Sequence, residues 1–229
     1  MKLVSLFYGG KDSTFAIYKA INQGHKISFL LTMLSVNEAS YMFHTANINL
    51  AEQSAACLNL PIIFVKTKGE KEKELQDLEK ILKKLKKSQG IEGVLTGAVK
   101  SNYQKERIDA LCKKLNLKSI APLWHQDEEE LMRELISSNF KVIFVAIAAA
   151  GLDESWLGLE FDEKALQDLI SLNKKYGVSL VGEGGETESF VLDCPLFKKQ
   201  IKIEKSEKKW SGSRGEFLIK QVELLNKSR

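Results

Sequence analysis

An α/β fold is what this sequence predicts: a doubly wound parallel sheet, followed by a second, smaller α/β domain. Three observations carry the prediction. Apolar runs of strand length alternate with helical periodicities through the first half of the 229-residue chain. Those runs are apolar throughout rather than at every second residue, as strands covered on both faces are. The first run, KLVSLF, breaks at Gly9-Gly10 and passes at once into a helical pattern. In open parallel sheets such turns lie at the carboxyl edge, where ligands bind.

The elements follow in order. Spacing predicts a strand over residues 3–7 and a helix over 13–23, closed by Gly24. A strand is expected at 27–34, a helix at 45–58 and a strand at 61–65. Next comes KEKELQDLEKILKKLKKSQG, where Leu75, Leu78, Ile81, Leu82 and Leu85 recur at helical spacing. Lys83, Lys84, Lys86 and Lys87 then form the solvated basic face of that helix. A short strand at 93–96 and a helix at 102–115 complete the first half. Beyond Pro122 the alternation loosens. A helix at 128–138, a strand at 142–148 and a helix at 163–176 closed by Gly177 are expected. Strands follow at 189–192, near 201–203 and at 216–224, the late ones antiparallel. The domain boundary is placed at that change, giving domains at 1–122 and 123–229.

Composition narrows the class. The chain is 44% hydrophobic and 28% charged, long enough to bury a core without staples. No apolar run approaches the roughly 20 residues of a membrane span, so no membrane association is expected. Cys57, Cys112 and Cys194 are widely spaced and form no C-x-x-C, which predicts neither a disulfide framework nor a metal site. A reducing, cytoplasmic location is expected. The net charge of +4 is mild and favours an anionic ligand without demanding a nucleic acid.

The turn after the first strand has the chemistry of an anion site. Gly9 and Gly10 let backbone N–H groups approach a phosphate. The following helix offers its positive end. Lys11 adds a charge, and Ser13 and Thr14 add hydroxyls. The spacing fits neither the Walker pattern nor G-x-G-x-x-G. Instead, YGGKDST resembles the SGGKDS signature of the PP-loop ATP pyrophosphatases. Gly9, Gly10, Lys11, Asp12 and Ser13 match it, and Tyr8 stands where the first serine is usual. That resemblance implies an adenine nucleotide alpha hydrolase-like fold, of the HUP or Rossmann-like kind, and cleavage of ATP between its α and β phosphates.

Four more segments, TGAVKSNYQKERID, APLWHQDEEELM, AAAGLDESWLG and GEGGETESFVLDCPLF, are similar in text and order to those of the diphthine–ammonia ligases. Leu159 replaces a usual arginine and Ser189 a usual threonine. The resemblance implies adenylation of the diphthine carboxylate on translation elongation factor 2, then amidation by free ammonium. ATP and Mg2+ would be the cofactors, and Lys11, Asp12, Glu183 and Glu186 would be catalytic. It also implies nucleotide contacts from Tyr8, the loop through Thr14, His44 and Gly97. Substrate contacts would come from Ser101, Tyr103, Gln104 and Arg107, from Trp156, and from the acidic turn with Glu183, Gly184, Gly185, Glu186 and Glu188. Trp124 and Trp156 could offer aromatic faces to a quaternary ammonium ion, although burial in the core is the favoured reading for both, and His25 and His125 read as surface residues. A homodimer is compatible with all of this. Two rivals stay open: a tRNA-modifying PP-loop ATPase, which would use thiols, and a non-catalytic nucleotide-binding module.

Overall fold

A computed structural model describes residues 1–35, 47–67 and 73–227. The first half builds β1 (Lys2–Leu6), α1 (Lys11–Asn22), β2 (Lys26–Ser35), α2 (Ala51–Leu58), β3 (Ile62–Thr67), α3 (Lys73–Gln89), β4 (Gly93–Leu95), α4 (Asn102–Leu115) and β5 (Lys118–Ile120). The five strands are all parallel and lie in the order β3-β2-β1-β4-β5. The order reverses between β1 and β4, so the loops leaving those two strands part there and open a crevice.

Strand residues divide between two clusters. Leu3 and Leu30 enter one, while Val4 and Leu31, their chain neighbours, enter the other. Leu78, Leu82, Ile108 and Leu111 of α3 and α4 cover the second face. The first face is covered by Phe15 and Ile17 of α1 and Ala55 of α2, and then by the rest of the chain. That remainder comprises α5 (Glu128–Ser137), β6 (Lys141–Ile147), α6 (Glu163–Tyr176), β7 (Thr187–Asp193), β8 (Lys199–Trp210) and β9 (Gly215–Asn226). Its sheet is antiparallel, in the order β7-β6-β9-β8. Phe7, the residue after β1, and Phe190 of β7 share a single hydrophobic cluster.

Local chemistry sets the helix ends. Asp127 and Asp162 cap α5 and α6, accepting hydrogen bonds from Glu130 N at 3.0 Å and Ala165 N at 2.8 Å. Gly177 closes α6 at φ 75°, and Asn59 and Asn116 serve the same left-handed position after α2 and α4.

Three expectations need correction. The helix expected from residue 45 begins later: Asn47 is left-handed at φ 61°, a short 3-10 turn follows, and α2 starts at Ala51. Residues 45 and 46 lie outside the described residues. The edge strand β5 was not expected, because three residues show no periodicity. The final hairpin is much longer than its apolar centres suggested, since polar residues continue both strands.

Candidate active site

The crevice between β1 and β4 holds a cleft of about 260 Å3, walled by Tyr8, Lys11, Thr96, Gln104, Thr187 and Glu188 among others. A second chamber of about 370 Å3 adjoins it. Ser101, Tyr103, Gln104, Glu183, Gly184 and Gly185 line that chamber. The two share Asp12, Gly97, Ala98, Gln104, Gly182 and Gly185.

The glycine loop is held from the second sheet. Gly9, at φ 81°, takes a conformation that side chains resist, and its carbonyl accepts Val191 N at 3.1 Å. Lys11 N donates to Ser189 Oγ at 3.1 Å. The usual threonine and this serine thus offer the same hydroxyl. Gly97 answers a different need: a Cβ there would lie 2.6 Å from the Asp12 carbonyl carbon. Only glycine lets the loop after β4 touch the first turn of α1.

Lys11 is buried, with Nζ 3.0 Å from Asp12 Oδ2 and 2.6 Å from the Val181 carbonyl. An ammonium has more donors than these two acceptors use, so capacity remains for a ligand. Asp12 Oδ1 is buried without a hydrogen-bond partner among the described residues. Ser13 and Thr14 turn their hydroxyls back onto the Gly10 carbonyl, at 3.1 and 2.9 Å. Ser13 still lines the cleft, whereas Thr14 is fully buried and tightens the turn; its expected ligand contact is corrected to a structural one. Burial, with the Glu74 carboxylate nearby, pushes the Tyr8 phenol well above its ordinary range, so it stays protonated.

The acidic turn divides its carboxylates. Gly182 is left-handed at φ 74°, and a Cβ there would lie 2.2 Å from Thr187 Oγ1. Glu183 faces the outer chamber and Glu188 the inner cleft. Glu186 does neither: its Oε2 accepts Ser179 N at 2.6 Å and its carbonyl accepts Ala148 N at 2.8 Å. Glu186, expected to be catalytic, thus has one carboxylate oxygen engaged in holding the turn.

Sequence reasoning missed Glu128, the first residue of α5. Its Oε2 accepts Leu180 N at 2.8 Å and Ser179 Oγ at 3.1 Å, and its Oε1 pairs with Lys100. It ties the loop after β4 to the segment that leads into the acidic turn.

Two other expectations move. Arg107 stacks its guanidinium 3.5 Å from the Tyr103 ring centroid and lies in a groove with Leu75, Glu79 and Lys114, away from the cleft. Trp156 is buried edge-on to Phe144, with ring centroids 5.2 Å apart, and belongs to the core. Ser101 occupies the N-cap position of α4 but makes no side-chain cap, leaving its hydroxyl to the chamber. His44 lies outside the described residues. Among the described residues no cluster of three or more His, Cys, Asp or Glu could hold a metal ion. No helix of the described residues is long and apolar enough to cross a membrane.

Known sequences resemble this chain along most of its length. Family profiles described as the diphthamide synthase N-terminal and C-terminal domains match residues 1–119 and 127–225. The chain is 37% identical to the diphthine–ammonia ligase of Homo sapiens, covering 90% of this chain and 84% of that one. It is 38% identical to that of Mus musculus, with the same coverage. Identity to that of Danio rerio is 36%, covering 90% of this chain and 88% of that one.

Proposed function

Because the chain belongs to the diphthine–ammonia ligase family, an ATP-dependent amide-forming family of diphthamide synthesis, we propose that its protein substrate is translation elongation factor 2 carrying diphthine. The observation that carries the reading is the pair of joined chambers. One is walled by a phosphate-type loop and the other by a carboxylate turn, and they meet at Asp12 and Gly97.

The chemistry divides accordingly. A diphthine carboxylate oxygen attacks the α-phosphorus of ATP, and the bond to the bridging oxygen breaks to release pyrophosphate. The amides and helix dipole at the start of α1, together with Lys11, stabilise the charge that gathers on the departing pyrophosphate. Ammonia then attacks the acyl carbon and AMP leaves with the acyl oxygen. In the outer chamber Glu183 attracts ammonium and accepts the proton that must leave before nitrogen can attack. The unpartnered Asp12 Oδ1 suits Mg2+, which takes its ligands from one or two carboxylates and the nucleotide phosphates and would neutralise their charge.

A thiol-dependent tRNA modification fits less well. Burial pushes the Cys57 thiol up to about 11 and those of Cys112 and Cys194 up to about 12. None supplies a thiolate at neutral pH. Incubation with diphthine-bearing elongation factor 2, ATP, Mg2+ and ammonium should yield AMP and pyrophosphate by chromatography. ADP and phosphate as the main products would contradict the reading.

A further inference from the structure

The cleft has a charged end and an apolar end. Lys11 and Asp12 stand at the start of α1, whose Phe15 and Ile17 cover the first face of the sheet, while Leu6, Tyr8 and Ile108 belong with the cluster under α3 and α4 on the other face. Thr96, the first residue after β4, belongs to the same wall and is only 7% exposed. Its backbone N–H is satisfied, donating to the Ile120 carbonyl at 2.9 Å. Its side-chain Oγ1 is not: it is buried with no hydrogen-bond partner among the described residues.

A buried hydroxyl without a partner bears the full loss of its hydration and gains nothing in return. Valine has the same branched shape and avoids that loss at the end of a strand where β-branched residues fit. A polar atom kept at such a cost, on the wall of a ligand cleft, has its partner on the ligand. The neutral hydroxyl both donates and accepts, and it lines the cleft with the apolar side chains of Leu6 and Ile108. That suits the nucleoside end of a nucleotide, not its phosphates.

Resting on the proposed nucleotide role of this cleft, we propose that Thr96 is the hydrogen-bonding contact for the nucleoside end of ATP. Phosphates seat at the loop after β1, and the nucleoside reaches under α4 towards Leu6 and Ile108. Binding satisfies the Thr96 hydroxyl that folding leaves unmet at the end of β4.

Titration calorimetry with ATP, and separately with inorganic pyrophosphate, tests this on wild type, Thr96→Val and Thr96→Ser. Thr96→Val should melt no lower than wild type, because it removes an unsatisfied group. It should bind ATP about tenfold more weakly, the worth of one hydrogen bond, yet bind pyrophosphate as wild type does. Thr96→Ser, which keeps the hydroxyl, should stay close to wild type for ATP. Wild-type ATP affinity in Thr96→Val would overturn the assignment while leaving the nucleotide role intact. Equal weakening of ATP and pyrophosphate would also overturn it, by showing that the loop and not the nucleoside contact was lost. Wild type that binds neither ligand would overturn the nucleotide reading itself, and the assignment with it.

Discussion

Glu183 and Glu186 stand on the same turn, and the fold gives them different work. Glu183 faces the outer chamber, where a carboxylate can attract ammonium. Glu186 spends its carboxylate on Ser179 N, beneath the turn. Glu183→Gln keeps the size of the side chain and removes the charge. It should change stability by no more than about 0.5 kcal/mol, as an exposed or half-exposed substitution does. Amide formation should nevertheless fall at least about a hundredfold, the scale of a lost proton-transfer group. Glu186→Ala should do the reverse first, lowering the melting temperature by the loss of a charge-assisted hydrogen bond worth about 1.5–3 kcal/mol. Thermal melts beside initial rates of amide formation separate the two. Full activity in Glu183→Gln would remove that carboxylate from the chemistry.

At the scale of elements, the start of α5 is where the outer chamber is braced. Burial works to raise the pKa of Glu128, but Lys100, the Leu180 N–H and the Ser179 hydroxyl outweigh it and hold the carboxyl below its ordinary range. A depressed folded pKa means that the charged form is stabilised by folding. The contribution is therefore complete above the unfolded value of about 4.3 and is lost as pH falls through the lower folded value. Urea unfolding of wild type and Glu128→Gln should differ most near neutral pH and converge below about pH 4. A gap that ignores pH would show that the charge of Glu128 does not matter. This brace was illegible in the sequence, because its partners are brought together from the loop after β4 and the approach to the acidic turn without any periodic signal. The elements with strong local signals were legible: α4 and α6 run over the expected residues, and glycine or asparagine marks several helix ends. The glycine loop was legible too, since its chemistry is consecutive in the chain. What local pattern could not reveal was direction. Thr14 was expected to face a ligand and faces the Gly10 carbonyl, and Trp156 fills the core against Phe144.

Across the whole molecule, the second sheet is part of the glycine loop's scaffold. Val191 N and Ser189 Oγ hold the loop from β7, and Lys198 N reaches the Cys57 carbonyl at 2.6 Å. Asn47 bridges to β9, donating to the Phe217 carbonyl at 2.9 Å and accepting Ile219 N at 2.8 Å. Lys19 of α1 pairs with Glu134 of α5 at 2.7 Å. The loop that would hold phosphate and the turn that would hold ammonium are thus fixed by the same packing, as amidation through an acyl-adenylate requires. The most direct test follows nitrogen. With 15N-labelled ammonium, ATP and diphthine-bearing elongation factor 2, peptide mass spectrometry should find the label in the modified histidine, one label for each AMP released. AMP release without label in the peptide, or label without AMP, would contradict the coupling of the two chambers in one amide-forming reaction.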